Sequence, residues 1–135
     1  MPIQFSVAVR NARLDAIETT AGASAVLRIR SGSPPADCAA ARTGTVLATC
    51  NLPADWMANA SGGSKALSGT WQDASADATG TAGHFEIMNT GLTTCHMQGT
   101  VTITGGGGDL TVDSTSFTAG QQFTVTAFTL TDGNA

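Results

Sequence analysis

The sequence predicts a mainly β protein, an antiparallel β-sandwich or jelly-roll-like barrel with one N-terminal helix. Two observations predict this fold. Apolar residues at the three-and-four spacing of a helical face are confined to about the first 20 positions. The rest of the chain consists of short alternating runs separated by Gly, Pro, Ser and Asn turns, which is typical of all-β domains.

A single domain is expected, because 135 residues is an ordinary length for one hydrophobic core. Residues 1–22 form its N-terminal arm and helix, and residues 23–135 form its β-sandwich. The formal net charge of −4 argues against nucleic acid as a partner, since phosphate binding depends on Lys and Arg. No apolar run approaches the roughly 20 residues needed to cross a bilayer, so no membrane partner is expected.

The helix is predicted over residues 5–20. Ser6 is a suitable N-cap, and Gly22 is suited to end the helix. The spacing assigns Asn11 and Asp15 to the side facing away from the sheet. The inward stripe is predicted to consist of Phe5, Val9, Leu14 and Ile17.

The strands follow from alternation and turn residues. They are predicted at 25–30, 45–49, 65–72, 83–89, 95–104, 110–112 and 122–131. In the first strand Ile29 is expected to point inward and Arg30 outward. The last strand changes phase, because Val125 and Phe128 fall on opposite faces; this predicts either a β-bulge near 126–128 or a strand covered on both faces.

Residues suited to catalysis or metal binding do not assemble at a useful spacing. His84, Cys95 and His96 offer at most two or three metal ligands, and adjacent residues of a strand point to opposite faces. We therefore expect surface or half-buried histidines and no metal or cofactor. Asp73 and Asp77 lack the pattern of a calcium loop and are expected to cap loops. No catalytic residues are predicted, and the protein is not expected to be an enzyme.

The three cysteines leave one unpaired in any arrangement. A bridge between Cys38 and Cys50 would close a short loop in an oxidising environment, and free thiols are the alternative. The sequence leaves this question open. Trp71 is predicted to lie in the core, whereas Trp56 is suited equally to the core and to an interface.

Several segments together resemble a family of small virion structural proteins of tailed bacteriophages and prophages. The matching stretches are RNARLDAI at 10–17, GASAVLRIRSGSPP at 22–35, GTVLAT at 44–49, SADATGTA at 75–82 and FTVTAFTLT at 123–131. They are strand and turn signatures that cover nearly the whole chain, without a catalytic element. Members of this family look like capsid decoration (cement) proteins or small tail components.

The resemblance implies a non-enzymatic protein that is made in the host cytoplasm and ends on the capsid surface of the virion. Its expected partners are the major capsid protein and copies of itself, as a dimer or trimer. The alternatives are a tail component and a carbohydrate- or receptor-binding β module with Trp56 or Trp71 as a stacking platform.

The contact surface is expected in irregular loops that are poor in charge, because such loops bury apolar surface at little desolvation cost. The N-terminal arm is a further candidate. The predicted interface residues are Ser31, Pro34, Pro35, Asp37, Asp55, Trp56 and Met57.

Overall fold

The computed structural model describes residues 2–134 as a helix followed by a curled, mostly antiparallel sheet that forms a half-barrel. This confirms the predicted mainly β fold with its N-terminal helix. The helix, α1, spans Val7–Ala21. The strands are β1 (Val26–Ser31), β2 (Val46–Asn51), β3 (Ser64–Ala66), β4 (Trp71–Asp73), β5 (Gly80–Met88), β6 (Cys95–Ile103), β7 (Leu110–Val112), β8 (Ser116–Phe117), β9 (Phe123–Val125) and β10 (Thr129–Thr131).

Both predicted helix caps are confirmed. The Ser6 hydroxyl accepts a hydrogen bond from the backbone N–H of Val9 at 3.2 Å, which satisfies one of the free donors of the first turn. At the other end Gly22 adopts a φ of 91° and donates its N–H to the carbonyl of Glu18. A positive φ is accessible to glycine without steric cost, so the helix ends there.

The main sheet has the strand order β2–β1–β5–β6–β7, with β8 paired to the start of β5. The neighbours from β2 to β6 run antiparallel, whereas β7 runs parallel to β6. Two further antiparallel pairs form small sheets, β3 with β10 and β4 with β9. The last segment of the chain therefore pairs with strands from its middle.

The parallel β6–β7 pair depends on the run of four glycines at 105–108. Gly105 and Gly107 have positive φ angles of 87° and 82°. A Cβ atom on Gly106 or Gly108 would lie 2.7 or 2.8 Å from side-chain atoms of Thr102. Only glycine fits such a turn, which returns the chain to the edge of β6 within a few residues.

The core is organised around a row of aromatic rings. Trp56 and Trp71 have ring centroids 5.9 Å apart, and Trp71 lies 5.5 Å from Phe128. Phe128 in turn meets Phe85 edge-on at 5.7 Å, a geometry that aromatic pairs favour. The predicted core position of Trp71 is confirmed.

Two predicted strands are each divided in the structure. The segment predicted at 65–72 becomes β3 and β4, and the segment at 122–131 becomes β9 and β10. The phase change near 126–128 thus marks a break between strands rather than a bulge in one strand. Phe128 lies in this break and is buried, because the chain changes pairing partner there.

Both faces of β1 and β5 are covered, and this corrects the prediction for Arg30. Leu27 and Ile29 face the core as expected. Arg30, which was predicted to point outward, is buried and pairs with the buried carboxylate of Glu86 on β5. The predicted alternation along β1 is correct. The face that carries Arg30, however, is covered by the loop that follows β1 and not by solvent.

The predicted inward face of α1 is wrong for most of its residues. Leu14 is buried as expected, but Val9 is exposed and Phe5 and Ile17 are only half-buried. Asn11 and Asp15, which were predicted to point away, instead bind backbone groups of the segment 60–63. The helix is therefore held through its polar side.

Candidate functional site

A loop of residues 32–45, which we name the proline loop, covers the polar face of the sheet. Gln98 on β6 donates to the carbonyl of Pro35 at 2.8 Å and accepts from the Arg42 guanidinium at 3.0 Å. Arg42 also donates to the carbonyl groups of Asp37 and Ala40, both at 2.8 Å. These bonds fix a segment that has no regular secondary structure of its own.

The contact between the proline loop and β5 requires glycine at position 83. A Cβ atom on Gly83 would lie 2.1 Å from the carbonyl oxygen of Gly32. The same carbonyl is 2.9 Å from Nδ1 of the buried His84. The backbone of the proline loop at Gly32 therefore packs directly against the backbone of β5 at Gly83.

Beneath the proline loop lies a buried group of polar side chains. Arg30 forms an ion pair with Glu86 and donates to the carbonyl of Gly44 at 3.2 Å. Within the described chain, Oε2 of Glu86 and Nε2 of His84 have no hydrogen-bond partner. The guanidinium compensates the buried carboxylate, which would otherwise be costly to desolvate.

The two half-buried cysteines meet at the edge of this group. A β-bulge interrupts the pairing of β5 with β6 beside Cys95, since Ile87 pairs with Met97 and Met88 pairs with Cys95. The sulfur atoms of Cys95 and Cys38 are 3.0 Å apart, and Arg42 lies 3.4 Å from that of Cys95. Burial, followed by the contact with Cys38, raises the pKa of the Cys95 thiol to about 12.

Cys50 occupies a different environment. It is fully buried on β2 within the hydrophobic core. Burial, followed by the nearby carboxylates of Asp73 and Asp77, raises the pKa of its thiol to about 12. All three cysteines are free thiols in the structure, and the sulfur next to Cys38 belongs to Cys95 and not to Cys50.

The residues predicted to form an interface fall into two groups. Asp37 and Asp55 are exposed, Ser31 is half-buried at the end of β1, and Pro34 and Pro35 are half-buried in the proline loop. Trp56 and Met57 are fully buried, so their assignment to an exposed contact surface is wrong. Trp56 instead fills the core, and its indole N–H donates to the carbonyl of Gly22 at the end of the helix.

The two histidines lie in different environments. His84 is buried, which corrects its predicted surface or half-buried position, whereas His96 is half-buried beside α1. Within residues 2–134 no three His, Cys, Asp or Glu side chains lie where they could together hold a metal ion. Asp73 caps its loop as predicted, since its carboxylate accepts the backbone N–H of Ser75 at 3.0 Å. Both Asp73 and Asp77 also accept hydrogen bonds from Thr49 of β2.

Helix α1 is attached through a second polar site that the sequence analysis missed. Lys65 on β3 is 1% exposed, and its ammonium group lies 2.7 Å from Asp15 and 3.1 Å from Glu18. These carboxylates also accept backbone N–H groups, Asp15 from Ala60 and Glu18 from Met57, both at 2.9 Å. Asn11, Asp15 and Glu18 are separated by four and three residues, so they lie on one face of the helix. This spacing is the signal that could have indicated the attached face.

The charges of this site support one another. Burial acts to lower the pKa of Lys65, but the hydrogen bonds to Asp15 and Glu18 outweigh burial and leave that pKa raised. The hydrogen bond from Lys65, together with that from the Ala60 N–H, lowers the pKa of Asp15. Lys65 and Asp15 are therefore both charged near neutral pH.

An open groove of about 590 Å³ runs between α1 and the chain after β10. The ion pair of Arg13 with Asp132 at 3.0 Å crosses it, and Ile17 contributes to its wall. The Arg13 guanidinium also lies 4.9 Å from the ring centre of Phe5. These contacts hold the start and the end of the described chain together.

Comparisons with protein-family models, with curated proteins and with solved structures found no match to this chain. In the part of the chain that the structure describes, no helix has the length and apolar character that a membrane span requires.

Proposed function

We propose that this protein is a non-enzymatic structural protein of a bacteriophage virion that decorates the capsid and cements neighbouring major capsid proteins. The observation that carries the proposal is the orientation of α1. The helix is attached to the sheet through Asn11, Asp15 and Glu18, and its outward face therefore carries Val9 and small side chains beside the exposed Arg13. The resemblance of the sequence to small virion proteins gives this surface its proposed partner.

The outward face of α1 is suited to bind another protein. Val9 is 42% exposed, and Ala12 and Ala16 on the same side are also exposed. Before the helix, Ile3 in the N-terminal arm is 75% exposed. Burial of such side chains against a partner is favourable by roughly 25 cal/mol per Å² of apolar area, and alanines allow the partner backbone to approach closely.

The proline loop supplies a second proposed contact. Its exposed residue Asp37 and its half-buried residues Pro34 and Pro35 are held by Arg42 and Gln98. A segment that is already ordered loses little conformational entropy on binding. Two separate contact surfaces allow one molecule to link two capsid subunits, and many weak links of this kind reinforce one another.

Binding to capsids tests the proposal directly. Purified protein is titrated onto capsids of a phage that carries this gene, prepared without the protein. We expect saturable binding at a stoichiometry tied to the capsid lattice, and decorated capsids should withstand heat better than bare capsids because the bound protein favours the assembled state. Size-exclusion chromatography with light scattering then shows whether the free protein is a monomer, dimer or trimer.

A matched pair of variants tests the contact surface. Val9→Glu places a charge on the outward face of α1, whereas Ile103→Glu places one on a residue of β6 that is 54% exposed. Both should fold with unchanged stability, since neither position is buried. We expect Val9→Glu to weaken capsid binding at least tenfold, because a carboxylate would replace an apolar side chain and would have to be desolvated in the interface. Equal binding by both variants would exclude this surface.

Binding to tails alone would identify a tail component, and binding only to a glycan would identify a carbohydrate-binding module. The second alternative loses its expected stacking platform, because Trp56 and Trp71 are both buried. Either outcome would overturn the decoration proposal.

A further inference from the structure

We propose that Cys38 and Cys95 are a site of oxidation and form an intramolecular disulfide that fastens the proline loop to β6. The inference concerns the isolated protein and does not depend on the proposed role in the virion. It differs from the Cys38–Cys50 bridge that the sequence left open.

The geometry brings the two sulfur atoms together before any bond forms. They are 3.0 Å apart, so a movement of about 1 Å reaches the S–S bond length of about 2.05 Å. On the sheet side, the bulge beside Cys95 sets the direction of its side chain. On the loop side, Cys38 lies between Pro35 and Arg42, which both bind Gln98 of the same strand.

Cys50 is poorly placed to compete for Cys38. Its side chain is fully buried in the core on β2, opposite Leu27 of β1. A reagent in solution cannot reach it without opening the core. Cys50 therefore serves as an internal reference thiol that should remain reduced in the folded protein.

The bond can form by exchange with a low-molecular-weight disulfide such as oxidised glutathione. The Cys38 thiolate attacks one sulfur of the oxidant, which yields a mixed disulfide and one reduced glutathione. The Cys95 thiol then loses its proton and attacks the Cys38 sulfur, which releases the second reduced glutathione. The two protein thiols are oxidised and one oxidant molecule is reduced.

The order of these steps follows from the surroundings of Cys95. Burial and the contact with Cys38 raise the pKa of the Cys95 thiol, so Cys95 is mostly protonated near neutral pH and is suited to the second step rather than the first. The nearby Arg42 guanidinium acts in the opposite direction and stabilises the thiolate during the second step.

The bond would close the chain between two positions that are 57 residues apart in the sequence. Such a closure restricts the unfolded chain, and for a segment of this length we expect Tm to rise by roughly 10 °C. Dithiothreitol should reverse the rise. In a reducing cytoplasm the pair would remain as thiols, and it would close after transfer to an oxidising medium.

The test uses the full chain, purified under reducing conditions and then incubated with oxidised glutathione. We expect the mass to fall by that of two hydrogen atoms and the thiol count in denaturant to fall from three to one. Peptide mapping without reduction should join Cys38 to Cys95. Cys50→Ala should behave in the same way, whereas Cys38→Ser and Cys95→Ser should show neither the mass loss nor the rise in Tm.

Three results would overturn the proposal: three thiols that persist after oxidation, a mapped bridge from Cys38 to Cys50, or stable glutathione adducts without an internal bond. Peptide mapping of the unsubstituted protein tests the proposal even if a variant fails to fold. None of these measurements involves capsids, so a failure here is distinct from a failure of the decoration proposal.

Discussion

Lys65 is the only lysine of the chain, and it is buried between β3 and α1. We expect Lys65→Met to lower the free energy of unfolding by about 3 kcal/mol, because removal of the lysine leaves the carboxylates of Asp15 and Glu18 without their cation. The value lies at the low end for a buried pair, since Asp15 is partly exposed and screened by water.

Urea unfolding checks this prediction. Arg28→Met on β1 is a suitable comparison, because Arg28 is a half-buried cation without a salt bridge among those of the described residues. If Lys65→Met is as stable as the parent protein, the ion pairs contribute nothing and α1 is held by its backbone contacts alone.

Individual residues show which positions could be predicted from the sequence and which could not. The positions of Leu27 and Ile29 followed from alternation, and Ser6 and Gly22 followed from capping chemistry. Arg30 and Lys65 did not follow, because a charged side chain is buried only when another segment supplies its partner. Those partners, Glu86 and the carboxylates of α1, are distant in the sequence.

At the level of elements, the proline loop depends on the absence of a side chain at position 83. Gly83→Ala would place a methyl group 2.1 Å from the carbonyl oxygen of Gly32. We expect the loop to move away from β5, which breaks the contact of His84 with Gly32 and destabilises the protein by roughly 2 kcal/mol.

Thermal unfolding, together with hydrogen exchange in residues 32–45, measures this effect. Gly91→Ala is the matched control, since an added methyl there meets only Thr93 at an ordinary 3.9 Å. Faster exchange confined to the proline loop in Gly83→Ala would support the interpretation, and equal exchange in both variants would contradict it.

The attachment of α1 should depend on pH in a defined direction. The pKa of Asp15 is lowered below its usual 3.8 in the folded state, so its stabilising contribution is complete above that value and is lost as the pH falls through the lowered pKa. The pKa of Lys65 is raised above 10.5, so its contribution is lost as the pH rises through that higher value. We therefore expect α1 to be held firmly between about pH 4 and pH 10.

Hydrogen exchange of α1 across the acid range measures this dependence. Asp15→Asn should weaken the attachment at neutral pH and remove most of the acid response. Asp55→Asn, at an exposed aspartate of a loop, should leave both unchanged. An identical acid response in the two variants would show that another group controls the helix.

The elements themselves were predictable to different degrees. The segment at 110–112 was placed correctly, since Leu110 and Val112 alternate with a polar residue between turns. The division of 122–131 was not predictable from its own pattern, because β9 and β10 are separated by their pairing with β4 and β3. The alternation within a segment does not show which distant segment it pairs with.

For the molecule as a whole, we expect stability to be independent of metal ions. Addition of a chelator should leave Tm unchanged, because a structural metal would contribute a large share of the folding free energy and no three suitable side chains of residues 2–134 converge. A large fall in Tm on addition of the chelator would instead show that the protein binds a structural metal ion. The same scan with added zinc serves as the control.

The polar attachment of α1 has a thermodynamic consequence. Denaturant sensitivity follows the surface that a transition exposes, and the heat-capacity change follows chiefly the apolar part of that surface. Among the residues of α1 only Leu14 and Ala21 are buried apolar side chains, so we expect the helix itself to contribute little to the m-value and ΔCp of its detachment. Urea and heat would therefore distinguish poorly between the attached and the detached helix. A change of pH does distinguish these two states, because protonation of Asp15 weakens the attachment of the helix.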